Sequence, residues 1–140
     1  MQYTALLQPD GDGWIVTFPS FSEANTAGDS RQEATANAQD ALEVVLLTYA
    51  KDGRDLPADV PATGDTVRIA PSAQVVAKLS FIEAFRKSGL TRVALAERIG
   101  KGENEVRRML DPYYGSKLPA LEDAMRALGK RFVLTVEQTA

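Results

Sequence analysis

A chain of 140 residues holds one domain or two small ones, and a 44% hydrophobic content is enough for a core. The absence of cysteine and histidine excludes disulfides, Cys/His zinc sites, cysteine nucleophiles and histidine acid–base chemistry. The formal net charge of −3 divides unevenly: residues 1–70 hold 11 Asp/Glu against 4 Lys/Arg, whereas residues 71–140 hold 8 against 12.

A basic half favours a polyanion such as nucleic acid, and an acidic half suits a basic protein partner. Ordinary variation of surface charge gives the same split. The opening Met1-Gln2-Tyr3-Thr4 has no basic run or apolar leader, and no stretch approaches the roughly 20 apolar residues of a membrane span. Cytoplasmic location, with no membrane contact, is the expectation.

In chain order, Tyr3–Gln8 and Trp14–Phe18 are rich in aromatic and β-branched residues. They flank the turn signal Pro9-Asp10-Gly11-Asp12-Gly13, which predicts a hairpin. Asn25–Gly28 is a weaker third strand. Ser30 followed by Glu33 has the capping-box form, and the helix it opens places Ala34, Ala38, Ala41, Leu42, Val45, Leu46 and Tyr49 on one face before Gly53. Leu56–Gly64, with two prolines, must be loop, and Thr66–Ala70 reads as a strand.

Pro71 ends that strand, and Ser72 can cap a helix with Val75, Val76, Leu79, Ile82 and Phe85 on its buried face. Three further helices are expected at Arg92–Ile99, Glu103–Leu110 and Ala120–Leu128. Phe132–Val136 then alternates as a strand would. The fold class is therefore α+β: a β-β-(β)-α-β module over 1–70, then an all-α module over 71–140 with a C-terminal strand.

The pair Arg92–Ile99 and Glu103–Leu110 carries a specific spacing. Two steeply crossing helices need a small residue at the contact, here Ala96. They need a residue tolerant of positive φ at the turn, here Gly100, and an apolar anchor on the second helix, here Val106. Leu95, Ile99, Met109 and Leu110 complete a small core. The segment resembles the DNA-binding helices of phage repressors and the wider Xre-type family, and the resemblance continues through Leu121 and Ala127-Leu128-Gly129. It implies a helix-turn-helix whose second helix enters the major groove. Glu103, Asn104, Arg107 and Arg108 would face the base edges, since Arg pairs with guanine, Asn with adenine and Glu with cytosine N4. Arg92, Lys101 and Lys117 would be phosphate contacts. Lys101 occupies a turn position that is usually apolar in that family, and Glu103 and Glu105 bring negative charge to the expected DNA face. Taken singly, each basic residue equally suits a solvated surface.

The whole chain resembles the HicB antitoxins of bacterial toxin–antitoxin modules. Three features carry the likeness. The first is Tyr3 with Asp10-Gly11-Asp12-Gly13-Trp14-Ile15-Val16-Thr17-Phe18-Pro19. Next comes Gly28-Asp29-Ser30, leading into a helix with Glu33-Ala34 and Asn37-Ala38. Last is Val67-Arg68-Ile69, joined by a long helix to the helix-turn-helix and Gly129-Lys130-Arg131. Phe21-Ser22-Glu23-Ala24 departs from the Leu-Pro-Gly-Cys-like stretch frequent in the family. The resemblance implies that 1–70 is a partial ribonuclease-H-like module that binds and inhibits a small basic HicA-like ribonuclease toxin. It also implies that 71–140 binds operator DNA of its own operon. Candidate toxin contacts are Asp10, Asp12, Trp14 and Glu23, with Trp14 equally suited to the core.

Two other functions compete. A metal-dependent nuclease needs clustered carboxylates, yet Tyr3–Gln8 contains none and Glu33 is better explained as a cap. A ligand-responsive repressor could use Trp14, Phe18, Phe21 and Tyr49 as a pocket, although such a stripe is more often core. The expectation is an antitoxin and autorepressor with no catalysis, metal or cofactor. An unpaired apolar strand at Phe132–Val136 would pair across a two-fold axis, giving a homodimer or dimer of dimers, or return to its own chain.

Overall fold

In the computed structural model, which describes residues 1–139, β1 (Tyr3–Asp10) turns tightly into β2 (Gly13–Phe18), and β2 into β3 (Phe21–Gly28). The long helix α1 (Arg31–Lys51) follows, and β4 (Thr66–Ile69) then joins the far edge. The sheet order is β3-β2-β1-β4 and every neighbouring pair is antiparallel. The first strand runs to Asp10, two residues beyond the expected Gln8. The third begins at Phe21, because Phe21 pairs with Phe18 across an irregularity in the register.

Alternation along the strands sends one face to the helix. Ala5, Leu7, Val16, Phe18, Phe21 and Ala24 are buried there against Ala34, Ala38, Leu42, Val45 and Leu46 of α1. Ser30 Oγ accepts from the Glu33 backbone N–H at 3.0 Å, and Glu33 Oε1 accepts from the Asp29 N–H at 3.4 Å, so the helix start is satisfied from both directions. Gly28 sets how closely this start approaches the sheet. A Cβ at Gly28 would lie 2.4 Å from the Ala34 nitrogen, so only glycine lets β3 hand over to α1 here.

A second helical stretch begins with α2 (Ala73–Ser88), followed by α3 (Arg92–Ile99), α4 (Glu103–Met109) and α5 (Leu118–Ala127). Two compact units result, Met1–Val76 and the remainder from Ala77 onward. The second unit encloses Ala77, Phe81, Ala84, Leu95, Ala96, Val106, Met109, Leu121, Ala124 and Met125. Thr91 caps α3, its Oγ1 accepting from the Ala94 N–H at 3.0 Å. Gly100 ends α3 at φ 66, a left-handed conformation that costs a glycine nothing, and lets Lys101 N–H reach Ala96 O at 3.0 Å.

The C-terminal strand expected at Phe132–Val136 does not form. Positions 130–139 carry neither helix nor strand. Phe132 packs half-buried against the helical core, while Val133, Leu134 and Val136 are 79%, 78% and 89% exposed. The physical reason is that a strand is made by its partner: all four strands among the described residues belong to the first unit. Alternation alone supplies no ladder.

Candidate functional site

The helix α4 presents two chemistries. Val106 and Met109, three residues apart, are buried at 0% and 1%. Asn104, Arg107 and Arg108 stand at helical spacing on the outward side and are exposed. In the free protein these polar groups engage one another. Arg107 donates to Asn104 Oδ1 at 2.6 Å, Arg108 lies 3.5 Å from the Glu105 carboxylate, and Arg92 Nε lies 3.2 Å from Glu103 Oε1. The last contact joins the first turn of α3 to the first turn of α4. Such exposed pairs contribute about 0–1 kcal/mol each, weak enough for a polyanion to displace the carboxylates.

Lys101, in the turn, and Lys117, at the start of α5, are both exposed. The geometry therefore gathers Arg92, Glu103, Asn104, Arg107 and Arg108 on α3 and α4, with Lys101 in the connecting turn. Lys117 sits on a separate element.

In the first unit, Asp10 and Asp12 are exposed at the β1–β2 hairpin. Trp14 is half-buried, paired with Pro9 on one side and Gly28 on the other. Glu23 does not join them. It lies near the start of β3, toward the end of the sheet remote from that turn. There its own backbone N–H, then the Tyr49 and Ser22 hydroxyls, hold its carboxyl below the ordinary carboxylate range. Desolvation and the Glu23 hydrogen bond push the Tyr49 phenol up, and the Arg54 guanidinium stacks 3.8 Å from the Tyr49 ring centre. The four candidate contacts thus fall into two separate groups.

Phe18 and Phe21 belong to the core, at 2% and 1% exposure, and Phe21 meets Tyr3 and Tyr49 edge-to-face at 4.8 and 5.4 Å. Packing accounts for these aromatics. Among the described residues, no three Asp or Glu side chains come together as metal ligands would. No helix among them is long and apolar enough to cross a membrane.

The segment 56–64 is strapped to the sheet by side-chain and backbone hydrogen bonds. Asp59 accepts from the Thr4 backbone N–H at 2.7 Å, from Thr4 Oγ1 at 3.0 Å and from the Arg68 guanidinium. The Thr4 N–H foremost, then Arg68, holds the Asp59 carboxyl below its usual range. Tyr3 donates its hydroxyl to Pro57 O at 2.8 Å, and Ser20 Oγ accepts from Val60 N–H at 2.8 Å. The prolines and glycine of this stretch predict a loop, but partners about 55 residues away leave no local signal.

Residues 2–80 match the profile of a family described as the HicB_like antitoxin of bacterial toxin-antitoxin systems. The class is thereby that of bacterial toxin–antitoxin proteins. The likeness to individual relatives runs further and includes the helical unit. Antitoxin HicB 2 of Photorhabdus laumondii is 32% identical over 134 residues, covering 96% of this chain and 95% of its own length. Antitoxin HicB 1 of the same organism is 34% identical over 138 residues, covering 98% and 88%. Antitoxin HicB of Escherichia coli is 32% identical over 137 residues, covering 97% and 99%. The chain belongs to the HicB-like antitoxin family.

Proposed function

We propose that this antitoxin binds and inhibits a HicA-like ribonuclease toxin through its first unit and represses its own operon through its second. In this account the second unit is a helix-turn-helix domain. The observation that carries the DNA-binding part is α3–α4. Ala96 is buried at 4%, Gly100 is left-handed and Val106 is fully buried, so the exposed Asn104, Arg107 and Arg108 are left outward on α4. Those side chains are suited to base edges and phosphates. Arg92, Lys101 and Lys117 supply further phosphate contacts, and Glu103 adds selectivity by accepting from cytosine. The division of charge between an acidic half and a basic half supports two partners, a basic protein and DNA.

For the first unit, the β-β-β-α-β order, with α1 on one face and β4 beside β1, supports a partial ribonuclease-H-like module, here with β4 antiparallel to β1. Asp10, Asp12 and Trp14 at the hairpin end, and Glu23 beside Tyr49 at the other, are its proposed toxin contacts. The role is regulatory rather than catalytic and needs no cofactor. Assembly as a homodimer or dimer of dimers uses the exposed Val133, Leu134 and Val136 of two chains, which suits a palindromic operator.

Co-expression with the neighbouring reading frames, followed by capture and a promoter-binding assay at defined salt, tests the whole proposal. A small basic partner, together with promoter binding that weakens with salt, is the expected result. Promoter binding without a protein partner would favour a ligand-responsive repressor instead.

A further inference from the structure

Lys78, on α2, is 3% exposed, a rarity for a lysine without a carboxylate partner. Its ammonium donates to the Met109 carbonyl at 2.8 Å and to Ser116 Oγ at 2.7 Å, and it lies 6.0 Å from the Tyr114 ring centre. Both hydrogen-bond partners are neutral. Of the charged groups packed near it, Asp111 acts on the ammonium through space. Burial nevertheless outweighs that attraction and brings the lysine down to about 8. A charge taken from water without an ion pair is expensive, and an apolar side chain at this buried position would avoid the expense.

What the lysine gains is a three-way tie. Met109 is the last residue of α4, and its carbonyl lies at the negative end of the helix, where a cation is favoured. Ser116 stands in the segment between α4 and α5. At seven residues, α4 is far too short to hold itself in place by helix propensity. One ammonium therefore links α2, the end of α4 and the segment that follows it.

We propose that Lys78 is a positioning residue for α4, fixing the angle at which that helix is presented to DNA and retained at the expense of stability. The DNA part rests on the helix-turn-helix reading. The positioning part does not.

The test uses the full chain with Lys78→Met and Ser116→Ala. In Lys78→Met, amide hydrogen exchange over 107–117 should quicken at least several-fold while residues 1–76 keep their rates. Promoter affinity should fall about tenfold at fixed salt while the melting temperature holds or rises. Ser116→Ala should give a smaller loss of the same kind, and it remains informative if the methionine variant fails to fold. The wild-type chain, lacking histidine and cysteine, should lose promoter affinity as pH rises through about 8, and Lys78→Met should not. Unchanged exchange over 107–117 overturns the positioning role. Promoter affinity unchanged in both variants, or lost only with a lower melting temperature, makes Lys78 purely structural. A wild-type chain that binds no promoter DNA overturns the helix-turn-helix reading, and the exchange pattern still decides whether Lys78 holds α4.

Discussion

Arg92 and Glu103 bind the first turn of α3 to the first turn of α4, Nε to Oε1 at 3.2 Å, with both side chains substantially exposed. The contact draws a cation that DNA would use toward an anion that DNA would repel. Glu103→Gln should therefore raise affinity for unrelated DNA about three- to tenfold at low salt while changing stability by less than about 1 kcal/mol. Filter binding on random-sequence duplexes, with a thermal melt alongside, measures both. Weaker binding in this variant would show that Glu103 serves by orienting Arg92.

Arg107 and Arg108 carry the largest share of the DNA account. Replacing both with Ala should abolish promoter binding and leave toxin binding within about twofold, because they belong to the second unit. If both contact phosphate, a single substitution should flatten the salt dependence by about one unit of slope. Fluorescence anisotropy over a salt series reads the slope. Loss of toxin binding in the double variant would contradict the division of roles.

Asp59 supplies a pH prediction. Its carboxyl is held below the ordinary value, first by the Thr4 N–H and then by Arg68. The folded state therefore favours the charged form. Its stabilisation is complete above the unfolded value near 3.8 and is lost as pH falls through the lower, folded one. Asp59→Asn should melt earlier than the wild type at pH 6, and the gap should narrow as pH falls below about 4. A constant gap across that range would mean that the charge of Asp59 plays no part in the strap.

Lys78 works in the opposite sense. Its folded value of about 8 lies below the ordinary lysine value of 10.5, so between those limits the unfolded chain keeps a proton that the folded chain has released. Folding is thus favoured as pH rises from about 8 toward 10.5, by up to about 3 kcal/mol relative to neutral pH. Calorimetric scans from pH 7 to 10 should show the wild type gaining on Lys78→Met in that window. Parallel curves would show that folding leaves the proton affinity of Lys78 unchanged.

Gly28 and Gly100 separate close packing from backbone conformation. Gly28→Ala forces a methyl into the Ala34 backbone at 2.4 Å and should destabilise the first unit by about 2–3 kcal/mol, in the range of overpacked cores. Gly100→Ala meets open space but keeps φ 66, and should cost the second unit about 1–2 kcal/mol. Toxin binding should respond to the first change and promoter binding to the second.

Much of this architecture was legible because it rests on local rules. The Ser30–Glu33 cap, the left-handed Gly100, and the buried Ala96 and Val106 all follow from spacing within one or two turns. The features that escaped depend on distant partners. Asp59 meets Thr4 across 55 positions, Lys78 meets Ser116 across 38, and Glu23 meets Tyr49 from another element. No window of sequence contains both members of any such pair. The alternation of Phe132–Val136 misled for the complementary reason: it states which side chains could share a face, not whether a neighbouring strand exists. Deleting residues 133–140 spares Phe132 and its core contacts, and should halve the mass measured by light scattering if two chains pair through this segment. An unchanged mass places the dimer contact elsewhere.

The most direct test is a titration of the purified chain into a small basic HicA-like ribonuclease recovered by co-expression with it, following RNA cleavage. Inhibition should become complete at a fixed stoichiometric ratio and persist in the Arg107→Ala, Arg108→Ala double variant. Cleavage that continues undiminished with the chain in large excess would contradict the proposed inhibition.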